Sequence, residues 1–452
     1  MKKILSAVAV FGLVAGVAAT ASALDLTVTG YYKLEGKALN EGAAGGGVQL
    51  SQDITDPTDD GVSSSWWQHD FRMYPVLKVN DNISMLADIR LVSTSPTDGN
   101  TSGVWGYDAA GSHSVTANKI YMEYLSAVGK FRMGKTEGGA WGGPYLNSSG
   151  SANRFMWWPS FVADPFSLLV FTQKTTEAND GIVGNNGKSD QDTDAYYLGV
   201  GYKAADIGKF DLAYYMVRTG APSGGLTTPD SSQQDNIWFN ADVAVGPVTL
   251  STEWQYLFGE SGQTIATGPA IGQKRDKDAW AGMVLAMVKP VDALTIGGVY
   301  FMATGQDAND PTENQNGMST TAGTGNDWEP LYIMTGRNMG VLNGYGVTSA
   351  VGSLGVGVQA FGVFADFAVS PKLSLHAAVG TGYADDVSTM GPLQDDEFGW
   401  EYNLGASYKL LDNLTYDLHL GYWAVGDFAK FGTTTMDPNN VTLVTNSLTM
   451  KF

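Results

Sequence analysis

The chain has 452 residues, a formal charge of −20 and no cysteine. That charge removes general nucleic-acid binding, which needs a basic surface, and the missing thiols remove disulfides, thiolate metal sites and thioether-linked haem. Only 16% of residues are charged, against 57 Gly, 21 Tyr, 18 Phe and 12 Trp, a composition poor in charge for a soluble domain.

In chain order, Met1-Lys2-Lys3 is a short positive region, Ile4 to Ala19 is apolar, and Ala21-Ser22-Ala23 is a small-x-small pattern. This reads as a secretory signal peptide over residues 1–23, with one large domain over 24–452. Loss of Lys2 and Lys3 takes the charge from −20 to about −22. No later segment has the unbroken apolar run of a membrane helix.

What recurs is period-two alternation. Val28, Gly30, Tyr32 and Leu34 alternate with Thr29, Tyr31, Lys33 and Glu35, and Trp67, His69, Phe71 and Met73 with Gln68, Asp70 and Arg72. The pattern returns at 83–91, 248–256 and 414–422. Each such strand has an apolar and a polar face. Short connections occur at Asn80-Asp81-Asn82, Ala127-Val128-Gly129, Ala205 to Gly208, Gly246-Pro247, Pro290-Val291-Asp292, Ser370-Pro371 and Asp412-Asn413. Long Gly/Asn/Asp/Ser/Thr stretches lie between them. Short turns on one side and long loops on the other are the plan of an all-β, antiparallel transmembrane barrel.

Seven short turns give seven hairpins; with a first and a last strand the count is about sixteen. Phe166 to Thr172 also has a strand pattern, but as a lone span it would put every later short turn on the wrong side. The expectation is therefore a long loop from Glu137 to Gln191, folded into the lumen. A second such loop, about Gly305 to Ser353, contains Leu331-Tyr332-Ile333-Met334. An eighteen-strand barrel that uses both segments is the alternative.

The chain ends "NSLTMKF" in a strand pattern. Leu448, Met450 and Phe452 are expected on the lipid face, because a barrel must close its last strand on its first to leave no open edge.

No motif for catalysis, phosphate cradling or metal binding is present, and no cofactor is expected. His69, His113, His376 and His419 lie far apart; a lumenal His419–Asp417 pair is the sole enzymatic alternative. The informative set is the polar face of the first five strands: Lys33, Lys37, Arg72, Arg90, Lys119, Lys130 and Arg132, interleaved with Glu35, Asp70, Asp88 and Glu123. Charge facing lipid is costly, so these are expected to line a pore. They act as a selective wall or as a mutually neutralising network. Opposite them the long loop offers Glu137, Asp164, Glu177 and Asp180 as a candidate acidic constriction, which would set a field across the pore. Charged loop clusters at Asp56 to Asp60 and Lys274 to Asp278 read as solvated tips, with divalent-cation or lipopolysaccharide contact as the alternative. Trp66-Trp67, Trp254, Trp400 and Trp423 suit interfacial girdles; Trp157-Trp158 suit either a girdle or an inner wall.

The opening "ALDLTVTGYYKLEG" and the closing "SLTMKF" resemble the first and last strands of Gram-negative outer-membrane porins, similar in style to the abundant channels of metal- and sulfate-reducing bacteria. The resemblance implies outer-membrane residence, recognition of the terminal Phe452 by the barrel-assembly machinery, a homotrimer and an inward constriction loop. Passive diffusion of small hydrophilic solutes and ions is then the expected function. A substrate-specific channel, or a barrel sheathing an electron-transfer partner, is the alternative.

Overall fold

The computed structural model describes residues 25–40, 63–92, 103, 105, 115–138, 145–146, 151–177, 192–220, 231–264, 274–307, 331–334, 356–388, 395–430 and 438–452. The expected signal peptide, Asp180 and the Asp56 cluster lie outside them.

Eighteen antiparallel strands form one sheet. The first group is β1 (Asp25–Leu39), β2 (Ser64–Lys78), β3 (Ile83–Val92), β4 (Thr116–Ser126), β5 (Gly129–Thr136) and β6 (Ala152–Pro159). There follow β7 (Phe166–Thr176), β8 (Thr193–Ala204), β9 (Gly208–Thr219), β10 (Ser232–Val245), β11 (Val248–Thr264) and β12 (Lys274–Val291). The last are β13 (Leu294–Ala303), β14 (Val358–Ala368), β15 (Leu373–Tyr383), β16 (Glu397–Leu411), β17 (Leu414–Val425) and β18 (Val441–Lys451). Each strand pairs with its neighbours in sequence, and β1 also pairs with β18, so the sheet closes into a barrel.

The count exceeds sixteen by one hairpin, β6 and β7, which sequence alternation hid inside the expected Glu137–Gln191 loop. The inward positions of β6 carry Met156 and Trp158, and its outward positions carry Phe155 and Trp157. With both faces largely apolar, polarity does not alternate. The turn between β6 and β7, Ser160 to Pro165, has no glycine or asparagine to announce it. Two strands rather than one leave every later turn on its expected side. The second expected insertion is the connection from β13 to β14, and Leu331–Met334 belongs to it.

Amphipathicity is inverted relative to a soluble protein. On β8 the outward Tyr196, Leu198 and Val200 are exposed while the inward Ala195 and Tyr197 are buried. An outer belt of this kind is stable only against lipid. Closure uses the very last residue. Gly30 N–H donates to the Phe452 carbonyl at 3.0 Å, and Phe452 N–H returns a bond to the Gly30 carbonyl at 3.1 Å. A Cβ on Gly30 would lie 2.7 Å from the Phe452 ring, so glycine leaves the space this ring occupies. The same ring meets Phe71 edge-on at 6.2 Å between centroids.

Candidate functional site: the lumen and its two inward loops

Two loops enter the barrel, and each is held by one buried carboxylate. Glu253 on β11 accepts hydrogen bonds from the Tyr145 and Leu146 backbone N–H groups, both at 3.1 Å. Tyr145 belongs to the β5–β6 connection, yet its hydroxyl donates to the Met302 carbonyl on β13 at 3.0 Å. Tyr145 and Leu146 of that connection therefore lie against the β11–β13 wall. Glu401 on β16 does the same for the β13–β14 connection, accepting from Ile333 N–H at 2.8 Å and Met334 N–H at 2.7 Å. A carboxylate that takes two backbone donors replaces part of the water it loses on burial.

The second loop has a fitted seat. Leu331, Ile333 and Met334 are 2%, 0% and 1% exposed. They rest where three adjacent strands present glycine inward: a Cβ would lie 3.0 Å from Leu331 at Gly380, 2.9 Å from the Tyr332 hydroxyl at Gly405, and 3.1 Å from Ile333 at Gly421. Tyr332 stacks on His419, 4.5 Å between centroids and 9° between planes, with His376 at 5.8 Å. The His419 ring face is thus occupied by the loop. Tyr145, Leu146, Leu331, Ile333 and Met334 of the two loops share one apolar cluster with Ala281, Met283, Phe301, Ala360, Phe398, Trp423 and Leu443, so side chains of both pack against the β11–β18 wall.

The opposite arc, β1 to β5, is charged and paired. Lys33 reaches Glu35 at 2.9 Å and Lys37 reaches it at 3.5 Å, while Gln68 donates to the same carboxylate. Arg72 holds Asp70 at 2.6 Å, and Tyr31 donates to Asp70 at 2.9 Å. Arg90 lies 3.6 Å from Asp88. Arg132 holds Glu123 at 2.7 Å and Glu137 at 3.4 Å, and Lys119 also pairs with Glu137. Lys130 sits 4.2 Å from the centre of the Trp158 ring, and Arg132 4.6 Å from that of Tyr121. Aromatic faces stabilise cations whose charge the carboxylates do not fully match. Seven basic side chains face five carboxylates here once Glu137 is included, and Arg154 on β6 adds another cation beside Phe171. The arc keeps a positive surplus.

No family model matches the sequence, and no curated relative does. The fold has solved counterparts. Pseudomonas aeruginosa OccK9 (OpdG) matches with a TM-score of 0.52 at 14% identity, over 94% of this chain and 98% of that one. P. aeruginosa OpdL gives 0.52 at 11% identity over 95% and 98%, and P. aeruginosa OccK2 (OpdF) in complex with glucuronate gives 0.51 at 10% over 95% and 97%. The fold is that of an outer-membrane porin.

Within this barrel the expected residues separate into two groups. Lys33, Glu35, Lys37, Asp70, Arg72, Asp88, Arg90, Lys119, Glu123, Lys130 and Arg132 lie together on inward register positions. Leu448 and Met450 pair with Leu34 and Tyr32 on the outward face, beside Phe452. Glu137, Asp164 and Glu177 do not come together as the expected acidic constriction, because the segment carrying them is two strands and three connections; Asp180 lies outside the described residues. Glu137 pairs with the basic arc itself. Asp164 is exposed in the β6–β7 turn, and Glu177 is exposed past the end of β7 at 3.4 Å from Lys174. The carboxylates that matter across the lumen are Glu253 and Glu401. They read as ordinary polar-face residues in sequence, since each is defined by a loop more than sixty residues away. Among the tryptophans, Trp157 faces outward against Phe131, Trp158 faces inward under Lys130, and Trp423 is buried in the loop-bearing core rather than in a girdle.

Proposed function

We propose that this chain is a diffusion channel of the Gram-negative outer membrane for small hydrophilic solutes, with a preference for anions. The observation that carries this reading is the positive surplus of the β1–β6 arc in a barrel whose other side is filled by two inward loops. Solutes pass along the charged arc, where fixed cations favour anionic over cationic species and the narrowing excludes large ones. Planar-bilayer recording of the purified protein tests it: open-channel steps, with a reversal potential on the anion side under a salt gradient, are expected. Absence of steps, or a cation-side potential at low salt, overturns it.

A substrate-specific channel is the second reading, favoured by the two anchored loops that narrow the passage. A similarly folded protein, OccK2, was crystallised in complex with glucuronate, and a sugar acid suits a cationic arc. Saturable block by glucuronate supports this reading, and strictly ohmic behaviour with every solute removes it. A sheath for an electron-transfer partner fits less well, because the loop-filled side leaves little lumen for a protein.

In the same reading, residues 1–23 direct export and are removed, and residues 24–452 form the barrel. The assembly machinery recognises Leu448, Met450 and Phe452, the outer belt meets lipid and lipopolysaccharide, and the channel works as a homotrimer. Conductance steps in threes test the last of these.

A further inference from the structure

The lumenal wall from β7 to β10 is neither the charged arc nor the loop-filled side. Its inward positions carry Phe171, Tyr197, Tyr215 and Trp238. Phe171 and Tyr197 stack at 4.4 Å and 6°, and Tyr215 and Trp238 at 5.7 Å and 23°. Tyr197 lies 6.2 Å from both members of the second pair. The first pair is 4% exposed at each ring and forms the floor, while Tyr215 and Trp238 are only half-buried.

Three polar atoms in this wall are buried without a hydrogen-bond partner: Tyr197 Oη, Trp238 Nε1 and Asp211 Oδ1. The other oxygen of Asp211 takes Lys209 at 2.6 Å and Asn240 at 3.4 Å. Two donors and one acceptor beside a half-open aromatic pair is an unusual combination. A buried polar atom without a partner has lost its water and gained no bond, so an arrangement that satisfies these three is favoured over the wall as it stands. A rotation that brings the indole edge to the lumen is repaid by the bond that Nε1 lacks in the wall. Arg154, 5.5 Å over the Phe171 ring, sets a positive charge at the rim of the patch.

We propose that this wall is a binding subsite for monosaccharide-sized polyols. A pyranose ring presents an apolar C–H face, suited to stacking on Tyr215 and Trp238, and a hydroxyl edge that both donates and accepts, suited to Trp238 Nε1, Tyr197 Oη and Asp211 Oδ1, which are buried in the empty wall and are uncovered as the half-buried indole turns. A flat aromatic solute would use the ring faces and leave the polar edge groups unsatisfied. The subsite rests on the reading of the chain as a solute channel and names a class of solute for it.

The test is glucose block of single-channel current in a planar bilayer, with a size-matched ethylene glycol oligomer as the control for simple exclusion. The expected result is saturable block by glucose and none by the oligomer. Trp238→Leu, which removes stack and donor together, should raise the half-blocking concentration about tenfold or more, and Trp238→Phe, which keeps a ring, about threefold. Trp157→Phe on the lipid face should leave it unchanged. Open steps with no glucose block, or a half-blocking concentration unmoved in Trp238→Leu, overturn the subsite while the channel reading stands. Absence of steps overturns the channel reading instead. Calorimetric titration of glucose into the detergent-solubilised protein then decides the subsite: heat of binding that is lost in Trp238→Leu upholds it, and no heat, or heat unchanged in Trp238→Leu, overturns it.

Discussion

The charged arc on β1–β5 and the loop-bearing wall on β11–β18 face one another across the same lumen, yet they are built on opposite principles. In the arc, charges are satisfied by near neighbours. Arg72 pairs with Asp70 two residues along its own strand, and Arg132 with Glu123 directly across one hairpin. In the loop-bearing wall, Glu253 and Glu401 are satisfied by backbone donors 107 and 68 residues away. The arc is a largely local network, tied to a loop through Glu137 at the start of the β5–β6 connection. The opposite wall has no complete set of partners until the loops arrive, so loop and wall form one unit. In the proposed channel the first region would set which charges pass, and the second how much room they have.

The largest effect that would break this division is expected from Glu401→Ala. It leaves the Ile333 and Met334 N–H groups without their buried acceptor, a loss on the order of 3 kcal/mol of loop anchorage. Single-channel conductance should rise while the sign of selectivity is kept. A variant with unchanged conductance would show that the glycine seat, not the carboxylate, holds the loop. Gly405→Leu attacks that seat directly, since even a Cβ there comes within 2.9 Å of the Tyr332 hydroxyl. Its conductance should also rise, by less than in Glu401→Ala, because the carboxylate anchor remains.

Arg132→Ala sharpens the comparison from the other side. It removes the cation shared by Glu123 and Glu137 and should move the reversal potential toward cations with little change in conductance. The shift should shrink in high salt, where the Debye length falls to about 3 Å at 1 M. A large conductance change in this variant would mean that Glu137, at the start of the β5–β6 connection, couples arc and loop. The smallest effect is expected from Phe452→Ala. Its ring is 47% exposed, so the folded barrel should lose little stability, on the order of 1 kcal/mol for a partly buried ring. Thermal unfolding should shift by only a few degrees, whereas the yield of assembled protein in the outer membrane should fall clearly.

Much of this architecture was legible in the chain itself. The short turns, the inward arc and the closing strand at Phe452 follow from period-two alternation, because the pleat sends neighbouring side chains to opposite faces regardless of the rest of the fold. The hairpin β6–β7 was not legible, because Met156 and Trp158 face an aromatic inner wall, and an apolar lumen erases the contrast on which alternation depends. For that same reason sequence alone places Glu137, Asp164, Glu177 and Asp180 in one loop.

The sequence by itself determined the barrel class, the sidedness of its turns and the membership of the charged arc. Each of these depends on residues within one strand or one hairpin. Only the tertiary structure decided the strand number, the roles of Glu253 and Glu401, and the seat made by Gly380, Gly405 and Gly421. A buried carboxylate becomes an anchor, and three glycines on separate strands become a cavity, only when barrel closure brings distant segments against them.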